Sequence, residues 1–149
     1  MDADQLVFVL AKVDLFNGLS PRVLRRIAGA GREESFGPGQ VVLAQGEEVG
    51  GFRGFSQKGV EMHVVLAGDA TASVDGAVHG RIAPGEYFGE LSLVDGQPRS
   101  AEVRAGDQGM TTFALDKWTF AELLEEHPEV AVPMLRVMIA RLRAAERAR

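Results

Sequence analysis

Hydrophobic periodicity changes twice along this chain, and that change limits its fold more than any other feature. Apolar residues recur at helical spacing near both ends, whereas the middle carries short β-branched or alternating runs cut by turn residues. Gly37-Pro38-Gly39 is a turn signal ahead of the run Val41-Val42-Leu43. Met62 to Ala67 is a strand candidate, and Ala70, Ala72 and Val74 alternate with polar residues up to Asp75-Gly76, a hairpin signal. Val78 and Ile82 continue on the return strand, and Pro84-Gly85 makes the next turn. Ala101 to Arg104 and Met110 to Leu115 form a further predicted pair, joined by a loop containing Gly106, Asp107 and Gly109. The 18 glycines of this 149-residue chain suit an architecture with many turns. Short strands separated by turns predict a mainly β fold, a sandwich, roll or barrel.

The flanks read as helices. Leu6, Val7, Val9 and Leu10 begin an apolar face that Asp14 to Gly18 interrupt. Ser20-Pro21 has the form of a cap with proline in the first turn, opening a second helix through Val23, Leu24 and Ile27 that Gly29 and Gly31 are expected to end. Helix is expected again over Trp118 to Glu126, with Trp118 and Phe120 assigned to the core. His127-Pro128 breaks it, and a last amphipathic helix runs from about Val130, with Met134, Val137, Met138, Ile139 and Leu142 apolar and Pro133 near its first turn. The whole chain, residues 1–149, is expected to be one domain: helices over 1–34, a β-roll over 35–115 and helices over 116–149.

Composition narrows the function classes. With 21 acidic and 16 basic residues the formal net charge is −5, which argues against nucleic acid as a direct partner. The basic stretch Arg136 to Arg149 reads as a solvated helix face. There is no cysteine, so disulfides and thiolate metal sites are excluded. The start MDADQLVFVLAKVD lacks a cationic segment ahead of its apolar stretch, and no apolar run reaches the roughly 18 residues of a membrane span. A cytoplasmic location is the expectation. His63, His79 and His127 lack the close spacing of a ligand set, so no metal site is expected. Nucleophile-elbow, zinc-protease and P-loop patterns are missing, and a binder rather than an enzyme is predicted.

The segment from Phe88 to Ala101 carries the chemistry. Gly89 permits close approach to the main chain, and a short helical turn beginning there points backbone N–H groups at an anion. Arg99 offers a planar fork of donors suited to phosphate oxygens. Glu90 cannot hold a phosphate but can accept from a sugar hydroxyl. The turn at Asp95-Gly96 lets Glu90 and Arg99 face one small pocket, where their attraction can hold both side chains in place. The pairing is equally readable as a plain salt bridge closing a loop.

Phe88-Gly89-Glu90-Leu91-Ser92-Leu93, a four-residue spacer and Pro98-Arg99-Ser100-Ala101 resemble the phosphate-binding cassette of the cyclic-nucleotide-binding domain family, the type found in catabolite activator protein and in the regulatory subunits of cyclic-AMP-dependent protein kinase. Pro38-Gly39, Gln45-Gly46-Glu47, Val64 to Gly68, Pro84-Gly85-Glu86 and His127-Pro128 fall in family order, so the resemblance covers roughly residues 13 to 143. It implies a double-stranded β-helix (jelly-roll) with flanking helices. Glu90 would take the ribose 2′-hydroxyl and Arg99 the cyclic phosphate, with backbone N–H groups of Leu91, Ser92 and Ala101 as further donors. Ser100 leaves cyclic AMP, the favoured ligand, and cyclic GMP both open. The purine would rest against Ala72 and lie under the last helix.

The resemblance also implies that no cofactor beyond the nucleotide is needed. A stand-alone regulatory module is expected, signalling through its C-terminal helices to a separate effector protein, with a homodimer through the last helix as a further expectation. Two rival readings are a nucleotide-free interaction module of the same fold and the sensor part of a transcription regulator without its DNA-binding domain. The segment from residues 48 to 61 is several residues longer than the usual family turn, and is expected to form a hairpin or a partner-binding loop. Ser92 stands where the family commonly has a small apolar residue.

Overall fold

The computed structural model describes residues 1–47 and 61–148, so the expected hairpin or partner loop lies, Glu61 aside, outside the described residues. The chain forms two compact units: Met1–Ala30 with Thr119–Arg149, and Gly31–Trp118.

The first unit is helical. Helix α1 (Ala3–Ala11) opens with a reciprocal cap, in which Gln5 N donates to Asp2 Oδ1 at 2.8 Å and Asp2 N donates to Gln5 Oε1 at 2.9 Å. A 3-10 turn at Asp14–Phe16 buries Leu15 and Phe16. Helix α2 (Pro21–Ala30) has Ser20 as its cap, with Val23 N donating to Ser20 Oγ at 3.3 Å, and buries Val23, Leu24 and Ile27.

Among its described residues the second unit is a rolled antiparallel sheet of six strands: β1 (Arg32–Phe36), β2 (Val41–Leu43), β3 (Glu61–Val74), β4 (Ala77–Ile82), β5 (Tyr87–Phe88) and β6 (Glu102–Asp116). Its path runs β1-β6-β3-β4, with β2 on β6 and β5 on β3. Leu43, Val65, Ala70, Phe88, Val103, Ala105 and Met110 make one buried cluster. A short helix, α3 (Glu90–Asp95), follows β5. Helix α4 (Lys117–Glu126) begins where β6 ends, and α5 (Ala131–Arg147) follows a 3-10 turn at Pro128–Val130. Pro133 lies in the first turn of α5, where its missing N–H removes no helical bond. Within the helical unit Glu126 accepts from Arg26 Nε at 3.0 Å and Nη2 at 3.1 Å.

Four local expectations are corrected. The expected pair of strands at 101–104 and 110–115 is, from Glu102 on, the single strand β6, both parts of which pair with β3: Met110 opposes Gly68 and Arg104 opposes Thr71. The extra residues between them form a bulge in which Gly68 and Gly109 take φ values of +73° and +74°. A Cβ on Gly68 would lie 2.1 Å from the Gly109 carbonyl oxygen, so glycine here marks close backbone approach rather than a chain reversal. Gly29 does not end α2, which continues to Ala30. Gly31 does follow the last residue of α2, and it also permits close packing, since a Cβ there would come within 2.4 Å of the Phe113 ring. The β region accordingly starts at Arg32, ahead of Ser35. Trp118 is 65% exposed while Phe120 and Leu123 of the same helix are buried, because a two-residue step turns a helical side chain to the far side.

Candidate functional site

Position 89 fixes the entrance to α3. Gly89 takes φ +84°, a conformation that costs glycine little, and a Cβ there would lie 2.8 Å from the Glu61 carbonyl oxygen and 3.2 Å from Arg99 Nη1. After two turns Gly96 closes the helix with φ +68°, its N–H donating to the Ser92 carbonyl at 2.9 Å. The Asp95 side chain then accepts from Gln97 N at 2.9 Å and turns the chain toward Pro98 and Arg99.

Arg99 is 3% exposed. Its guanidinium donates through Nη1 to the Gly89 carbonyl at 3.0 Å and through Nη2 to the Glu61 carbonyl at 2.9 Å. Its main chain is fixed as well: Arg99 N donates to the Glu47 carbonyl at 2.8 Å, and its own carbonyl accepts from Gly46 N at 2.8 Å. Burial lowers its pKa from the usual arginine value, and the nearby charges of Glu47, Glu61 and Glu90 oppose that shift. An arginine remains charged throughout, so a buried cation is held ready beside a cleft.

A pocket of about 210 Å³ opens at this point. Phe88, Gly89, Glu90, Leu91 and Ser92 line one side of it; Arg99, Ser100 and Ala101 line another, and Ala72 of β3 contributes to the wall. Of the residues singled out in the sequence, Pro98 is not among the lining groups. Glu90 and Ser92 are buried, while Leu91 is 45% exposed. Leu43, Ile82, Tyr87 and Val103 complete the wall and were not singled out from the sequence. They are ordinary strand residues that pairing brings to the pocket, Val103 standing opposite Ala72 in the β3–β6 ladder.

Around Glu61, whose carbonyl accepts from Arg99, lies a second polar group of which the sequence reading named only His63. Arg32 pairs with both Glu34 and Glu61, and the Glu61 residue is 5% exposed. His63 is 3% exposed, stacks on Phe88 with ring centroids 4.9 Å apart, and shares a 2.9 Å hydrogen bond between Nδ1 and Thr112 Oγ1. Burial, followed by the charges of Arg99 and Arg32, pushes the His63 pKa down to about 3, so its imidazole is neutral. Glu34, Glu61 and His63 bring potential ligand atoms within 4.8 Å of one another, with Arg32 supplying the local positive charge. His79 is exposed on β4, away from the buried His63.

A buried arginine and a buried glutamate thus line one pocket, joined along the chain by a glycine-started turn. The sequence profile of the family described as "Cyclic nucleotide-binding domain" matches residues 33–127. The chain belongs to that family. It is 31% identical over 137 residues to a cyclic nucleotide-gated potassium channel of Mesorhizobium japonicum, covering 92% of this chain and 35% of the channel. Among solved structures it resembles the catabolite activator protein of Thermus thermophilus, with a TM-score of 0.75, 25% identity and coverage of 89% of this chain and 60% of the other. The N-terminal domain of a transcriptional regulator from Streptomyces coelicolor A3(2) gives a TM-score of 0.74 and 27% identity, covering 95% and 94% of the two chains. The fold is thus the jelly-roll that the resemblance implies, and the chain spans about a third of the length of the channel. Among the described residues no helix is long and apolar enough to cross a membrane.

Proposed function

We propose that residues 1–149 act as one cytoplasmic regulatory module that binds a cyclic nucleotide, without catalysis, and passes the event to a separate protein. The observation that carries this reading is Arg99, almost fully buried yet lining the pocket together with Glu90 and the backbone of α3. Cyclic AMP is the favoured ligand; Ser100 on the pocket wall leaves cyclic GMP as the alternative. The cyclic phosphate would lie against Arg99, with the backbone N–H groups of Leu91, Ser92 and Ala101 as further donors. Glu90 would accept from the ribose 2′-hydroxyl, and Ala72 would face the purine.

No cofactor is needed for this, since the chemistry is recognition alone. A few charge-assisted hydrogen bonds at about 1.5–3 kcal/mol each, less the cost of association, correspond to micromolar affinity. Output would come from a shift in population of the C-terminal helices, provided their two arrangements bind nucleotide unequally.

Thermal unfolding in rising concentrations of cyclic AMP, cyclic GMP and linear 5′-AMP tests the reading. A ligand that binds only the folded state raises the melting temperature with concentration. The expected result is a rise with one or both cyclic nucleotides and a much smaller one with 5′-AMP. Superimposed curves for all three would overturn it in favour of a nucleotide-free interaction module.

A further inference from the structure

Two segments that matter to the pocket meet at one side chain, that of Gln45. It lies in a tight turn at residues 44–47, closed by Glu47 N donating to the Ala44 carbonyl at 3.0 Å. Gly46 takes φ +81° there, the positive angle that the third position of such a turn requires. The main chain of this turn holds Arg99 from both sides: Gly46 N donates to the Arg99 carbonyl and Arg99 N donates to the Glu47 carbonyl, each at 2.8 Å. The Gln45 side chain meanwhile reaches the β3–β4 hairpin. Its Oε1 accepts from Asp75 N at 2.7 Å, and its Nε2 donates to Asp75 Oδ1 at 3.0 Å.

That hairpin carries pocket residues on both of its strands. Ala72 of β3 lies just ahead of Asp75, and Ile82 of β4 lines the same pocket. Asp75 takes φ +52°, and among the described residues it alone does so without being glycine. A positive angle costs aspartate more than glycine, and the bond from Asp75 N to Gln45 stabilises it. A continuous set of hydrogen bonds therefore runs from the hairpin tip through one amide to the main chain of Arg99, all within the β unit.

We propose that Gln45 is a positioning residue for cyclic-nucleotide capture, holding the hairpin that bears Ala72 and Ile82 at a fixed spacing from Arg99. The proposal rests on the cyclic-nucleotide reading and deepens it. Gln45 is not among the pocket-lining residues, so it acts through the groups it braces. A ligand with a phosphate at one end and a flat base at the other must meet both walls at once. If the walls are not held in register beforehand, ordering them on binding is subtracted from the affinity.

Calorimetry with cyclic AMP tests this on the wild type, Gln45→Met, Gln45→Glu and the double variant Gln45→Glu, Asp75→Asn, each first shown to be folded by thermal unfolding. Methionine keeps the length of glutamine but makes neither bond. Glutamate keeps the bond from Asp75 N but sets a second carboxylate against that of Asp75. In the double variant the new carboxylate accepts from position 75 twice, from its N–H and from its side-chain amide, so both bonds return with one reversed. The expected result is affinity weaker by roughly fivefold or more in both single variants, and within about twofold of the wild type in the double variant. Wild-type affinity in Gln45→Met would overturn the proposal, and so would a double variant as weak as Gln45→Glu. A wild type without binding heat would instead overturn the nucleotide reading on which the proposal stands. If a variant does not fold, the Gln45 side-chain amide of the wild type decides. By reciprocity, its proton exchange with solvent slows on saturation with cyclic AMP if the brace supports binding, and unchanged exchange contradicts the proposal.

Discussion

Glycine at position 89 meets two separate requirements, and they can be measured apart. Gly85 and Gly89 take nearly the same backbone angle, φ +89° and +84°, but a Cβ on Gly85 meets nothing within 4 Å whereas one on Gly89 meets the Glu61 carbonyl at 2.8 Å. Gly85→Ala should cost about 1 kcal/mol from backbone strain alone, and Gly89→Ala about 2–4 kcal/mol because strain and overlap add. Urea unfolding of the two variants checks this; equal losses would show that the close approach has no energetic weight. His63 gives a second prediction with a definite sign. Its folded pKa of about 3 lies below the 6.5 of an unfolded histidine, so the unfolded chain binds more protons between those values. Stability therefore falls as pH drops below about 6.5, by up to about 1.4 kcal/mol per unit. Relative to His63→Phe, the wild type should lose about 2 kcal/mol between pH 7 and pH 5 in urea unfolding, and parallel pH profiles would contradict the assignment.

Elements whose cause is local could be read in the sequence, and elements made by distant pairing could not. Asp75-Gly76 sits in its turn with φ +52° and +79°, and Gln45 braces it, accepting from Asp75 N at 2.7 Å and donating to Asp75 Oδ1 at 3.0 Å. The hairpin was legible because its signal lies in the turn itself; the brace was not, since it joins residues 45 and 75. The same division explains why the loop expected near Gly106 is part of one strand. Glycines that signal a reversal in a short window become a bulge when both flanks already pair with β3. Gly68→Ala should accordingly behave unlike a turn substitution. It should destabilise by at least about 2 kcal/mol and speed amide exchange along β3 and β6, not only near the bulge. Exchange changes confined to residues 106–109 would contradict that view. At the site, Phe88 to Ala101 was legible because one contiguous segment holds most of its chemistry. Arg32, Glu34, Glu61 and His63 were hidden because three strands in register bring them together.

At the scale of the molecule, α5 carries an apolar stripe without the burial that such a stripe usually has. Val132, Leu135, Ile139 and Leu142 are 45%, 58%, 49% and 60% exposed, and their three-four-three spacing is that of a two-helix seam. The homodimer through the last helix expected from the sequence is testable at this stripe. Light scattering should show a dimer that becomes a monomer in the double variant Leu135→Glu, Leu142→Glu. A monomeric wild type at high micromolar concentration would contradict the pairing. The central claim is that Arg99 holds the ligand's phosphate, and calorimetry with cyclic AMP on the wild type and Arg99→Ala tests it most directly, once thermal unfolding shows both to be folded. Losing two charge-assisted hydrogen bonds at about 1.5–3 kcal/mol each predicts affinity weaker by at least about 100-fold. Equal affinity in the two proteins would contradict the account.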